Sequence, residues 1–230
     1  MVDKRRKYYV VLDTETCPID KDFEGVSANN MFVYDCGFAV CDKHGTIYEE
    51  YSFVNRGIFF GEKSLMKSSY YADKLPQYYK DIKNGKRKVA SLYEIRKTLA
   101  DVMKKYNTNI VIAYNARFDD TALNVTQRWE TKSKYRWFLP YGTIVWDSMK
   151  MVQDVVAKTP TYKRFCFENG FVTAHKTPRP QVKAETVYRY ITQNPDFIES
   201  HTGLEDVIIE TAIFAYCMAK HKKMRKALYS

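Results

Sequence analysis

The stretch VVLDTET places two carboxylates, Asp13 and Glu15, at positions i and i+2 behind an apolar run. On a strand such residues leave the same face, with Cα atoms roughly 6.5–7 Å apart. Like charges that close raise each other's pKa, and a divalent cation between them would remove the repulsion. The plain alternative is a polar strand end in solvent.

Two more segments carry acids in suggestive places. In IVIAYNARFDDTALN a buried strand ends near Tyr114 and Asn115, the chain turns, and Asp119 and Asp120 open a helix. An acid there is favoured by the helix dipole whatever its function, but strand ends of α/β folds are also where ligands gather. Local physics does not choose between the two neighbours; Phe118 is placed to pack under such a site and Asn115 to fix the turn. In ESHTGLEDVIIETAIF, the apolar positions Leu204, Val207, Ile208, Thr211, Ala212 and Ala215 mark a helix face. Asp206 sits at the margin of that stripe in the first turns, while Glu205 is expected to face outward. His201 lies just ahead, with Gly203 allowing the chain to bend. A histidine before a helix is usually a cap or a surface group.

The elements that must position these residues can be read coarsely. KYYVVLDTE reads as a buried strand, and MFVYDCGFAVCD, the KHG turn and TIYEEYSFVN as a hairpin extending the same sheet. The Tyr-rich stretch to KNGKRK reads as short helical pieces and a basic loop. SLYEIRKTLADVMKKYN is a helix with a Ser91/Glu94 capping box and an apolar stripe through Leu92, Ile95, Leu99, Val102, Met103 and Tyr106. NIVIAYN and TIVWDSM read as strands, FDDTALNVTQRW as a helix, and LEDVIIETAIFAYCMAKHKK as a closing helix whose basic end suits its dipole. The alternation predicts an α/β fold, a mixed sheet of about five strands flanked by helices. A single domain over 1–230 is expected, with insertions at 126–142 and 172–200.

The formal net charge of +10 favours an anionic partner. The odd number of cysteines, five, has no framework spacing. Cys36 and Cys41 are five apart and so fall on opposite faces of a strand; with His44 they do not converge as zinc ligands must, and core thiols are expected. A reducing compartment follows. No stretch approaches the roughly 18 apolar residues of a membrane span and no signal-peptide pattern opens the chain, so the expected location is intracellular, in the cytoplasm.

Taken in order, LDTET, YNARFDDTAL and HTGLED resemble the three motifs of the DEDD 3′–5′ exonuclease superfamily, which includes proofreading exonucleases, ribonuclease T and oligoribonuclease. The resemblance spans residues 10–217. It implies a ribonuclease H-like fold and two divalent cations, Mg²⁺ or Mn²⁺. It implies metal-ligand roles for Asp13, Glu15, Asp119 (rather than Asp120) and Asp206. Histidine five residues before Asp206 is similar to the His-type branch, which makes His201 the general base. Substrate contacts are implied for Thr14 and Thr16 beside the first acids and for Asn115 and Phe118 at the second motif. Asp147 resembles a recurring structural acid. Tyr114 stands where the family usually has His, and Val207 where it usually has Ala. The expected activity is release of nucleoside monophosphates from the 3′ ends of single-stranded DNA or RNA. A non-catalytic nucleic-acid-binding module on the same fold is the competing reading.

Basic and aromatic residues interleave in TQRWETKSKYRWF (Arg128, Trp129, Lys132, Lys134, Tyr135, Arg136, Trp137), a combination that suits single-stranded nucleic acid. For at least one of these tryptophans, packing in the core is the favoured expectation. KNGKRK and HKTPRPQVK are further candidates for phosphate contact.

Overall fold

The structure, a computed structural model, describes residues 2–20, 27–69, 71–131 and 136–229. Strand β1 (Tyr8–Pro18) opens with Tyr8, Tyr9, Val10, Val11 and Leu12, all buried, because both faces of this central strand are covered. β2 (Met31–Asp42) and β3 (Ile47–Asn55) follow as antiparallel neighbours. Helices α1 (Arg56–Gly61) and α2 (Lys63–Lys67) follow β3, and α3 (Leu75–Lys83) falls in the Tyr-rich stretch read as short helical pieces and leads to β4 (Lys88–Ala90). Then come α4 (Leu92–Lys105), β5 (Ile110–Ala113), α5 (Arg117–Glu130) and β6 (Ile144–Asp147). The chain closes with α6 (Ser148–Val155), α7 (Pro160–Glu168), α8 (Ala184–Thr192) and α9 (Gly203–Ala219).

The sheet has six strands in the order β4-β3-β2-β1-β5-β6, not the expected five or so. The sixth, β4, is three residues long and pairs parallel to β3 at the sheet edge, too short to show any alternation in sequence. Only β2 among the described strands runs against the others. Helix α4 begins as expected: Ser91 Oγ accepts from the Glu94 N–H at 3.2 Å and Glu94 Oε2 accepts from the Ser91 N–H at 2.7 Å.

Two apolar layers sandwich the sheet. Tyr8, Val10, Leu12, Cys36 and Phe38 face α4 and α5, sharing a cluster with Ile95, Leu99, Ala122 and Leu123. Tyr9, Val11, Ala39 and Cys41 face the opposite way, with Val207, Ile213, Phe214 and Cys217 of α9. Cys36 and Cys41 therefore sit on opposite faces as buried free thiols. α9 stops at Ala219, so the basic run from Lys220 lies just past its last turn rather than inside it. Among the described residues no helix is long and apolar enough to cross a membrane.

Candidate active site

The two-residue period of β1 carries the α9-facing positions from Tyr9 and Val11 on to Asp13 and Glu15, beyond the apolar layer. α9, packed on that face, brings Asp206 to them: one carboxylate oxygen from each of Asp13, Glu15 and Asp206 lies within 4.8 Å of the others. Burial pushes all three carboxyls upward, and their neighbours push further. For Asp13 the next cause is Glu210; for Glu15 it is Asp206. Asp206 is raised to about 8, by burial and then by Glu199. Among the described residues no lysine or arginine forms an ion pair with any of them. A largely buried set of convergent carboxylates with no paired cation among the described residues fits a hard divalent metal ion.

Asp119 arrives from the other side of the sheet on the first turn of α5. Thr14, whose side chain points opposite to those of Asp13 and Glu15, donates its hydroxyl to Asp119 Oδ1 at 2.7 Å. Burial raises Asp119 to about 7, although the Thr14 hydrogen bond pulls it down. The choice between neighbours is made by the helix. Asp119 is buried and near enough to raise Asp13, though it lies outside the 4.8 Å group and does not line the cavity, whereas Asp120 accepts from the Tyr229 hydroxyl at 2.6 Å and from Asn124 Nδ2 at 3.3 Å. Asn115 does fix the turn: its φ is +61°, its N–H donates to Asp147 Oδ1 at 3.2 Å, and its carbonyl accepts from the Phe118 N–H. Asp147 also caps α6 through the Met149 N–H at 3.0 Å, a structural role. Phe118 and Thr16 are half-buried outside the site cavity, Phe118 against the α4 side of the core.

The bend before α9 falls on His201 itself, with φ +53°, and not on Gly203. Gly203 serves a different purpose. A Cβ at Gly37 of β2 would lie 2.4 Å from the Gly203 carbonyl carbon, so only a glycine there admits the start of α9 directly onto the sheet. The Gly203 N–H donates to Asp35 Oδ2 at 3.0 Å, and the same oxygen accepts from Tyr78 Oη at 2.6 Å and from Arg87 at 3.0 Å. Arg87 also pairs with Asp81 and with Glu205, which is exposed as expected. Arg87 is thereby removed from the phosphate-contact candidates of KNGKRK: its side chain is 2% exposed and committed to holding the α9 N-terminus.

These parts surround a cavity of about 800 Å³ lined by Asp13, Thr14, Glu15, Asn115, Asp206 and His201. His201 stacks on Tyr71, and its Nδ1 lies 3.7 Å from Glu199 Oε2. Its imidazole is half-buried, which lowers its pKa, with Glu185 acting in the opposite direction. Segment 172–200 forms the outer wall through Thr173, Gln181, Lys183, Glu185 and Glu199. Glu199 is raised to about 7 by burial and by Glu185.

Sequence reading missed Glu210, which lines the cavity four residues after Asp206. It is buried, accepts from the Tyr114 N–H at 3.1 Å, and is pushed well up by burial and then by Asp119. The expected α9 stripe was rotated: Ile208 is 42% exposed, and Asp206, Val207, Glu210, Ile213 and Phe214 form the buried side. A lone glutamate inside VIIETAIF, one turn beyond Asp206, was the available signal. Tyr71, Glu185 and Glu199 carried none.

No family model matches this sequence, and no curated protein matches it. Among solved structures, the fold is similar to the zinc-ion-bound form of an E. coli exonuclease I–ssDNA complex, with TM-score 0.51 and 14% identity over 94% of this chain. A second structure of E. coli exonuclease I, with a 5cy-dT13 oligonucleotide, aligns over 92% of this chain with TM-score 0.48 and 13% identity. This chain spans 41% and 42% of the length of those two chains. The six-stranded mixed sheet flanked by helices is thus a ribonuclease H-like α/β fold shared with a nuclease.

Proposed function

We propose that this chain is a metal-dependent 3′–5′ exonuclease that releases nucleoside 5′-monophosphates from single-stranded nucleic acid. One observation carries the reading: carboxylates from β1 and α9, far apart in sequence, converge to within 4.8 Å in a largely buried cluster that has no lysine or arginine ion-pair partner among the described residues. Asp13, Glu15 and Asp206 would hold one cation, and Asp119 with Asp13 a second. When bound, two such ions supply charge stabilisation for an in-line displacement at phosphorus and favour ionisation of the attacking water.

The remaining steps belong to side chains. His201 Nε2 takes the proton from that water, and Glu199, in its ionised form 3.7 Å from Nδ1, stabilises the imidazolium that forms. A new P–O bond forms as the P–O3′ bond breaks, and the O3′ leaves with a proton to become the strand's new 3′ hydroxyl. Lys183 at the cavity rim provides positive charge for the phosphate backbone. Thr14 holds Asp119 in its rotamer, and Asn115 lies at the cavity edge for contact with the terminal nucleotide.

The test is a gel time course with 5′-labelled single-stranded DNA and RNA of equal sequence, in Mg²⁺, Mn²⁺ or EDTA. A metal-dependent ladder shortening from the 3′ end and absent in Asp13→Asn supports the reading, and the faster strand names the substrate. Intact label in every lane with retained gel-shift binding would replace it with a non-catalytic binding module.

A further inference from the structure

A second groove, of about 580 Å³, lies along α5 and the loop entering β6. Its most prominent features are two aromatic rings in water: Trp137 is 67% exposed and Tyr141 fully so. The backbone presenting them is held firmly. Phe138, between them in sequence, is completely buried; its N–H donates to Asn124 Oδ1 at 2.8 Å and its carbonyl accepts from Arg96 Nε at 2.8 Å. The turn after it closes through the Thr143 N–H and hydroxyl, both donating to the Pro140 carbonyl, with Gly142 at φ +81°. Large rings presented to solvent on a well-bonded backbone gain nothing from burial within this chain, which suits a surface that contacts a partner.

The charge of the groove identifies that partner's class. Arg96 and Arg136 line it, and the one carboxylate among its described lining residues, Asp120, accepts from Tyr229 Oη and Asn124 Nδ2. Guanidinium groups beside exposed rings form the pairing that grips phosphates and stacks bases of a single strand. An apolar protein partner would leave these cations without counter-charge. Position agrees: on the first turn of α5 Asp119 is buried and bonded to Thr14, which lines the acidic cavity, while its neighbour Asp120 lines this groove. Trp129, the other tryptophan of the basic–aromatic stretch, is 60% exposed with its ring 5.1 Å from Phe32, outside this groove; Lys132, Lys134 and Tyr135 fall outside the described residues.

We propose that the Trp137–Tyr141 groove binds the body of a single nucleic-acid strand, stacking its bases while its 3′ end occupies the acidic cavity. The placement of the 3′ end rests on the exonuclease reading; the stacking site does not. The test measures binding in EDTA, where no hydrolysis occurs, by anisotropy of 5′-fluorescein dT3 and dT12 with the wild type, Trp137→Ala, Tyr141→Ala and the double variant. The expected result is at least about tenfold weaker dT12 binding by the double variant, with dT3 affinity and thermal midpoint unchanged. Quenching of tryptophan fluorescence by unlabelled dT12 should also be lost in Trp137→Ala. Unchanged dT12 affinity would overturn the proposal and leave the groove to a protein partner; equal loss for dT3 and dT12 would show the short strand bound in this groove and overturn the placement of the 3′ end in the acidic cavity. The wild-type cleavage ladder is read separately: a groove effect without a ladder refutes only the exonuclease, and a ladder without a groove effect refutes only this site.

Discussion

The imidazole of His201 lies flat against the phenol ring of Tyr71, with centroids 4.3 Å apart and planes 12° from parallel. The two residues come from segments 130 positions apart in sequence and meet at the mouth of the acidic cavity. Tyr71 thus fixes the plane of the ring proposed as general base. His201→Ala is expected to lower kcat by roughly 10²–10⁴ with cation affinity nearly unchanged. Tyr71→Phe, which keeps the stacked ring, should retain activity, whereas Tyr71→Ala should lower kcat more than it changes KM. Steady-state kinetics on a single-stranded oligonucleotide decides the matter; full activity in His201→Ala would remove the base role.

The acids are expected to differ in what they control. Asp13→Asn should abolish hydrolysis, because Asp13 is shared by both proposed ion positions. Glu210→Gln keeps the acceptor for the Tyr114 N–H while removing a charge that raises Asp13. It is expected to weaken Mn²⁺ binding and to raise the thermal midpoint of the metal-free protein. Calorimetric titration with Mn²⁺ alongside a melt in EDTA separates the two effects, and a lower midpoint in Glu210→Gln would contradict the repulsion argument.

Stability without metal should fall as pH rises. Asp119 at about 7 and Asp206 at about 8 both lie above an unfolded carboxyl near 3.8. Between pH 4 and 8 the folded state therefore holds protons that the unfolded chain has released. Folding is penalised progressively across that window, and fully above it. A bound cation removes the penalty by favouring the ionised forms. The rise in Tm on adding Mg²⁺ is expected to be larger at pH 8 than at pH 6, and a rise independent of pH would argue against these carboxyls as the ligands.

Gly37→Ala tests the seating of α9. The new methyl would meet the Gly203 backbone at 2.4 Å, an overlap that rigid main chain cannot relieve without moving the helix. The expected cost is about 1–3 kcal/mol, accompanied by a loss of kcat because Asp206 and His201 move with the helix start. Urea unfolding and kcat measured on the same preparation check this; wild-type kcat in Gly37→Ala would show that the site does not depend on that contact.

Arg87→Met leaves Asp35, Asp81 and Glu205 without their cation, and Asp35 is completely buried. Removing one partner of a buried pair costs about 3–5 kcal/mol. The companion Asp35→Asn should restore part of that loss by removing the uncompensated charge. Equal urea midpoints for Arg87→Met and the double variant would show that the ion pair is not the source of the effect.

Residue types and local periodicity were enough to place Asp13 and Glu15 on one face of β1, to start α4 at Ser91, and to put Cys36 and Cys41 on opposite faces. Each of these depends on neighbours within a few positions, where strand and helix geometry act directly. Other features depended on how elements pack. Nothing local distinguishes Asp119 from Asp120; the sheet on one side of α5 and Tyr229 on the other do. The buried side of α9 is set by β1 and β2 beneath it, which is why Glu210 lies inside and Ile208 outside. Arg87 looked like a free cation in a basic loop until the fold enclosed it with Asp35. Convergence of the acids is likewise tertiary: β1 and α9 carry Asp13, Glu15 and Asp206 from different layers, and only the packing of the helix on the sheet brings them together.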